Sequence, residues 1–120
     1  MKQFEIINIY KTLETLADNT NLSKKDQWAL YGLRKFLRPH AEFQDEQEEK
    51  IREKYREFAN AEGILPEDKS QEFIKDLTEL NMIEKDLEEF EKIKIPIVEG
   101  INFKIMEPLE DFIEFTEPVE

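Results

Sequence analysis

Cysteine is absent from the 120 residues, so the chain can form neither a disulfide nor a thiolate metal site, and the composition fits a reducing compartment. Glycine occurs three times, as the isolated Gly32, Gly63 and Gly100, so there is no glycine-rich phosphate loop. Histidine occurs once, at His40. A di-iron bundle needs Glu-x-x-His pairs on two helices, and no such pair exists here. No serine or cysteine nucleophile stands in a recognisable frame with a base. The opening MKQFEIINIYKTLETLADN has no apolar run long enough for a signal peptide or a membrane span, which leads us to expect a soluble protein in the cytoplasm of its cell. These absences leave little material for catalysis, and we expect no enzyme, no cofactor and no metal.

Charge is plentiful: 38% of the residues are Asp, Glu, Lys or Arg, and the net charge is −12. Residues 1–60 hold 11 basic and 11 acidic side chains, whereas residues 61–120 hold 6 against 18, so the whole excess lies in the second half. A field of that sign repels phosphate backbones and attracts basic surfaces. Direct nucleic-acid binding is therefore not expected, and a protein partner is.

The apolar spacing reads mostly as helix. Ile6, Ile9, Leu13 and Leu16 form a stripe over Phe4 to Leu16. Ser23 with Asp26 resembles a capping box and opens a long second helix reaching about Ala61. Its stripe runs through Leu30, Leu33, Leu37, His40, Gln44, Gln47, Ile51, Lys54 and Phe58. Trp28, Tyr31 and Phe36 are read as a second row that widens the buried face. Phe43 and Tyr55 fall off the stripe and are candidates to face a partner. Gln44 and Gln47 fit either a buried polar layer or a stretch of helix running through solvent. Pro39 removes a backbone donor and predicts a kink or a break. Gly63 and Pro66 stop this helix, and a third is expected from about Pro66 or Ser70 to Glu91, packed antiparallel on the second.

The stretch IKIPIVEGINFKI (93–105) changes period. A three-residue loop at Val98-Glu99-Gly100, with Gly100 left-handed, would pair Ile97 with Ile101, Ile95 with Phe103 and Ile93 with Ile105, placing six apolar side chains on one face. Lys94, Pro96, Asn102 and Lys104 would occupy the other face, and Pro96 would mark an edge. MEPLEDFIEF then reads as a short helix started by Pro108, with Leu109, Phe112 and Ile113 on one face, and TEPVE as a frayed tail. The expected fold is thus α+β and mostly α, in a single domain. A helical part spans residues 1–91, with an N-terminal helix and a long antiparallel helical hairpin. A two-stranded β-hairpin and a short terminal helix occupy 92–115, and 116–120 form the tail.

Ile93, Ile95, Glu99, Gly100, Ile101, Phe103, Leu109, Phe112 and Ile113 carry a pattern of the form I-x-I … E-G-I-x-[IF] … L-x-x-[FL]-I behind a charged helical pair. In this order, over roughly residues 24–115, the chain resembles a group of small acidic proteins encoded by tailed phages and prophages of Firmicutes. The resemblance implies a phage or prophage context in a bacterial host cell, and no catalytic residue.

Two functional expectations follow. The first is an interaction or assembly protein, capable of self-association, that meets a phage or host protein through Lys94, Pro96, Asn102 and Lys104 of the hairpin and Glu107, Glu110, Asp111 and Glu114 of the acidic terminal helix. The second is an acidic mimic of nucleic acid that inhibits a host nuclease or defence protein. That reading requires the carboxylates of 84–91 and 107–114 to form one continuous stripe.

Overall fold

In the structure, a computed structural model that describes residues 1–117, Ile6, Ile9, Leu13 and Leu16 are all buried, so the predicted stripe is the core face of helix α1 (Gln3–Ala17). Helix α2 (Lys24–Arg56) begins where Ser23 predicts: the Asp26 amide donates to the Ser23 hydroxyl oxygen at 3.1 Å, and that hydroxyl donates to the Asp26 carboxylate at 2.9 Å. α2 returns antiparallel along α1 and buries Leu30, Leu33 and Leu37 against it. Each such side chain is worth about 1.5–3 kcal/mol of burial.

α2 continues unbroken through Pro39. Pro39 and Lys35 are both exposed, so the carbonyl left without a helical donor lies on the solvent face, where water can satisfy it. The helix ends at Arg56, short of Ala61. Beyond it Asn60 organises a tight loop, its side-chain oxygen accepting from the Glu62 and Ile64 amides at 2.9 and 3.0 Å. Gly63 adopts φ +80° inside that loop, away from the helix end.

Helix α3 (Glu67–Asn81) packs antiparallel on the far half of α2, as expected, with Glu67 and Asp68 favourably placed in its first turn. Tyr55 meets Phe73 edge-on at 5.6 Å, and its hydroxyl donates to Asp76 at 2.6 Å. Nearer the core, Gln44 donates to Asn81 at 3.0 Å and to Glu48 at 2.9 Å. The buried-layer reading therefore holds for Gln44, which is 5% exposed, while Gln47 is half-buried.

α3 stops at Asn81, ten residues before the expected Glu91. Residues 82–92 leave the helix, and Glu84 forms an antiparallel bridge with Lys2 at the start of α1. The Gln3 amide donates to the Ile83 carbonyl and the Lys85 amide to the Met1 carbonyl, each at 2.8 Å. These inter-segment bonds replace helical ones, and Phe90 inserts between Phe36 (4.9 Å) and Phe112 (6.2 Å).

The expected β-hairpin does not form. Strand β1 (Ile93–Pro96) pairs in parallel with strand β2 (Ile113–Thr116), in the register Ile93–Ile113, Lys94–Glu114, Ile95–Phe115 and Pro96–Thr116. Helix α4 (Phe103–Leu109) lies between them in sequence and packs on α1. A parallel pair needs a crossover of a dozen or more residues, and the segment 97–112 supplies it. Ile101, Ile105 and Leu109 follow a helical period as well as an alternating one, and Asn102 resolves the ambiguity. Its side chain accepts from the Ile105 amide at 3.2 Å and caps α4. Phe103, expected on the buried face, is 70% exposed. The terminal helix accordingly ends at Leu109, and Phe112 and Ile113 reach the core from the following turn and strand. Pro108 stands near the end of α4. Of the expected tail, Thr116 belongs to β2, and residues 118–120 lie outside the described residues.

Gly100 is left-handed (φ +94°), but in a β-turn closed by the Ile101 amide on the Val98 carbonyl at 3.1 Å. That turn is held against the α1–α2 connection by Asn19 and Asn21, both of which donate to the Glu99 carbonyl at 3.0 Å. The molecule measures 59 × 30 × 20 Å, with its principal core at the α1–sheet end and a slender α2–α3 arm at the other.

Candidate interaction surfaces

The residues singled out in 94–114 separate into three groups. Lys94 and Glu114 are register partners on the outward face of the sheet, with Pro96 beside them. The Ile93 amide donates to the Phe112 carbonyl at 3.0 Å and the Ile97 amide to the Thr116 carbonyl at 2.9 Å. By alternation, Lys94 and Pro96 turn their backbone groups to the outer edge of β1, and Ile113 and Phe115 turn theirs to the outer edge of β2. Pro96 removes one donor from its edge. The β2 edge keeps both donors, and among the described residues no other backbone segment pairs with it.

Glu107, Glu110 and Asp111 are exposed around α4 with Lys104, and Glu107 and Asp111 border a groove against Phe4 and Asn8 of α1. Asn102 has a structural task as the cap of α4. The second acidic segment also faces solvent at Glu84, Glu88, Glu89 and Glu91, but Glu84 pairs with the N-terminal ammonium at 3.3 Å.

A more prominent surface lies where burial is expected. Trp28 is 77% and Tyr31 55% exposed. They stand on the outer face of α2 in a 4-3-4-3 spacing with Lys24, Lys35 and Arg38, opposite the Leu30–Leu33–Leu37 face. Gln27, Trp28 and Tyr31 line a shallow depression of about 390 Å³. Gly32 lies on the same face, and a Cβ built there meets nothing within 4 Å. No positive φ and no close neighbour requires glycine at this position. The signal was present in the sequence: three cations share one azimuth with both aromatic residues and a mid-helix glycine flanks them, an improbable set for a buried row.

Phe43 and Tyr55, the expected off-stripe candidates, are occupied within the chain. Lys85 sits 3.7 Å from the centre of the Phe43 ring, and Tyr55 is buried. His40 is half-buried, its carbonyl accepting from the side chain of the buried Gln3 at 2.8 Å. Burial first, and then the charge of Lys85, lower its imidazole pKa from the usual value. Among the described residues no group of three His, Asp or Glu side chains is placed to hold a metal ion, and no helix is long and apolar enough to cross a membrane.

No protein-family model, curated protein or solved structure matches the chain.

Proposed function

We propose that the chain is a non-enzymatic interaction or assembly protein of phage or prophage type, acting by protein–protein contact in the cytoplasm of a bacterial host. The observation that carries this reading is the Trp28–Tyr31 face. A tryptophan and a tyrosine left in solvent on a rigid helix, ringed by cations, have the composition of a binding hot spot. The open β2 edge adds a second place where a partner strand can attach. The nucleic-acid-mimic reading has weaker support, because Lys94 stands opposite Glu114 and Lys104 lies on α4 among the carboxylates.

The test is a capture experiment from infected or lysogenic cells, using the intact chain beside Trp28→Ala/Tyr31→Ala. The expected result is a defined partner, or the chain itself, retained by the first and lost by the second. Identical captured sets would remove the main support for the reading.

A further inference from the structure

We propose that the partner of the Trp28–Tyr31 face is a second copy of this chain, docked head to tail through Phe103 and the carboxylates around α4. This rests on the interaction-protein reading and names its partner. Among the described residues, Trp28 at 77% and Phe103 at 70% are the two most exposed large hydrophobic side chains. They lie on different elements, and among the described residues no hydrogen bond, ion pair or ring contact joins the two surfaces within one chain.

The surfaces are complementary in charge. The Trp28–Tyr31 face carries Lys24, Lys35 and Arg38, a balance of +3. Around α4, Glu107, Glu110 and Asp111 against Lys104 leave −2. They also match in shape. One offers a depression between Trp28 and Tyr31 with Gly32 uncovered beside it, and the other a projecting phenyl ring at the start of a short helix. Gly32 thus gains a reason that nothing among the described residues supplies: it leaves room for a neighbour's ring.

The two surfaces differ, so the contact is heterologous and repeats from copy to copy, ending in a closed ring or a filament. A self-complementary contact would set the basic face against itself.

Light scattering after size-exclusion chromatography tests this, with a mixing arm. The intact chain should increase in mass with concentration and return toward monomer in high salt, where exposed charges are screened. Trp28→Ala/Lys35→Glu removes one surface, and Phe103→Ser/Glu107→Lys the other. All four positions are exposed, and unchanged circular dichroism melts would confirm that both variants fold. Each variant alone should stay monomeric, with association weakened about tenfold or more. Mixed in equal amounts, they should form a dimer and nothing larger, because each retains one intact surface. Gly32→Leu should weaken association without lowering the melting temperature.

A chain that is monomeric at every concentration overturns the proposal, as does a mixture that stays monomeric. So does single-stranded nucleic acid binding at Trp28 in place of a second chain. If the chain is monomeric but captures a different protein through Trp28, the choice of partner fails while the broader reading stands. If loss of Trp28 changes neither self-association nor capture, both fail.

Discussion

The side-chain amide of Asn19 donates to the main-chain carbonyl of Glu99, 80 residues further on, at 3.0 Å. The bond fastens the β1–α4 turn to the α1–α2 connection, and it fixes how close the two may come. A Cβ on Gly100 would lie 2.9 Å from the Asn19 amide nitrogen, on a backbone already at φ +94°. Gly100→Ala should therefore destabilise the chain by about 1–3 kcal/mol. Asn19→Ala should restore part of that loss in the double variant, since it removes the clash and leaves the backbone strain. Urea denaturation of the four members of the cycle measures both effects. Equal stability of the intact chain and Gly100→Ala would contradict the turn.

The parallel pairing of β1 and β2 predicts a different cost at Phe103 from that of a β-hairpin. Ile113 is 2% exposed, and Ile113→Ala should cost about 2–4 kcal/mol. Phe103 is 70% exposed, and Phe103→Ala should change monomer stability by no more than about 0.5 kcal/mol. A hairpin would make Phe103→Ala costly as well, because Phe103 would then cover the core. Denaturant midpoints at a concentration low enough to keep the chain monomeric decide between them.

Asp76 accepts from the Tyr55 hydroxyl at 2.6 Å and from Lys54 at 3.0 Å. The tyrosine bond first, and then the lysine bond, hold its carboxyl below the usual range. A carboxyl with a lower pKa folded than unfolded stabilises the fold above its unfolded value, and that contribution is lost as pH falls through the folded one. The urea midpoint should therefore drop on acidification below about pH 4, where an ordinary aspartate titrates. In Tyr55→Phe the midpoint should start lower at neutral pH and fall less steeply. Parallel curves for the two proteins would show that the bond contributes nothing.

Gln44 has both amide hydrogens engaged, yet its side-chain oxygen is buried without a partner. Asn81 and Glu48, which receive those hydrogens, are only half-buried and can turn to water. Gln44→Leu should consequently raise stability by about 1 kcal/mol, because an unsatisfied buried polar atom costs more than its neighbours lose. Thermal melts are sufficient to see the change. A fall of similar size would mean that the α2–α3 register depends on the amide.

Gly32→Ala should raise monomer stability by about 0.5–1 kcal/mol, the usual cost of glycine within a helix, since nothing obstructs the added methyl. Melting in high salt, with the chain kept monomeric, gives this value apart from any change in assembly.

The parts of the fold legible in the sequence are those set by local chemistry. Ser23 caps α2 as its spacing with Asp26 indicates, the α1 stripe is buried residue for residue, and α2 and α3 pack antiparallel. The parts that were not legible depend on partners distant in the chain. Ile83, Leu87 and Phe90 keep a helical period, but the Ile83 carbonyl is taken by Gln3 from across the fold. A local warning was available there: Glu84, Asp86, Glu88, Glu89 and Glu91 would crowd the negative end of a longer helix. The alternation through 93–105 fits a strand and a helix start equally well over so short a run. Only the distant run Ile113–Thr116, rich in β-branched and aromatic residues, supplies the true partner of β1. Of the candidate surfaces, Lys94, Glu107, Glu110, Asp111 and Glu114 were readable as exposed positions, but only Glu107 of the four acids lies in a helix. Trp28 and Tyr31 face solvent although their spacing fits a buried row, because the cations on the same azimuth decide which side of α2 meets water.

The length of α2 has a consequence for how the molecule opens. Its 33 residues extend for about 50 Å, and beyond Gln44 only Tyr55 of the helix is buried, with Phe73 of α3 against it. The arm therefore rests on few apolar contacts, while α1, the first half of α2 and the sheet share the main cluster. Amide hydrogen exchange should show two cooperative units. The arm would exchange through its own low-energy opening, and the other end only when the whole chain unfolds.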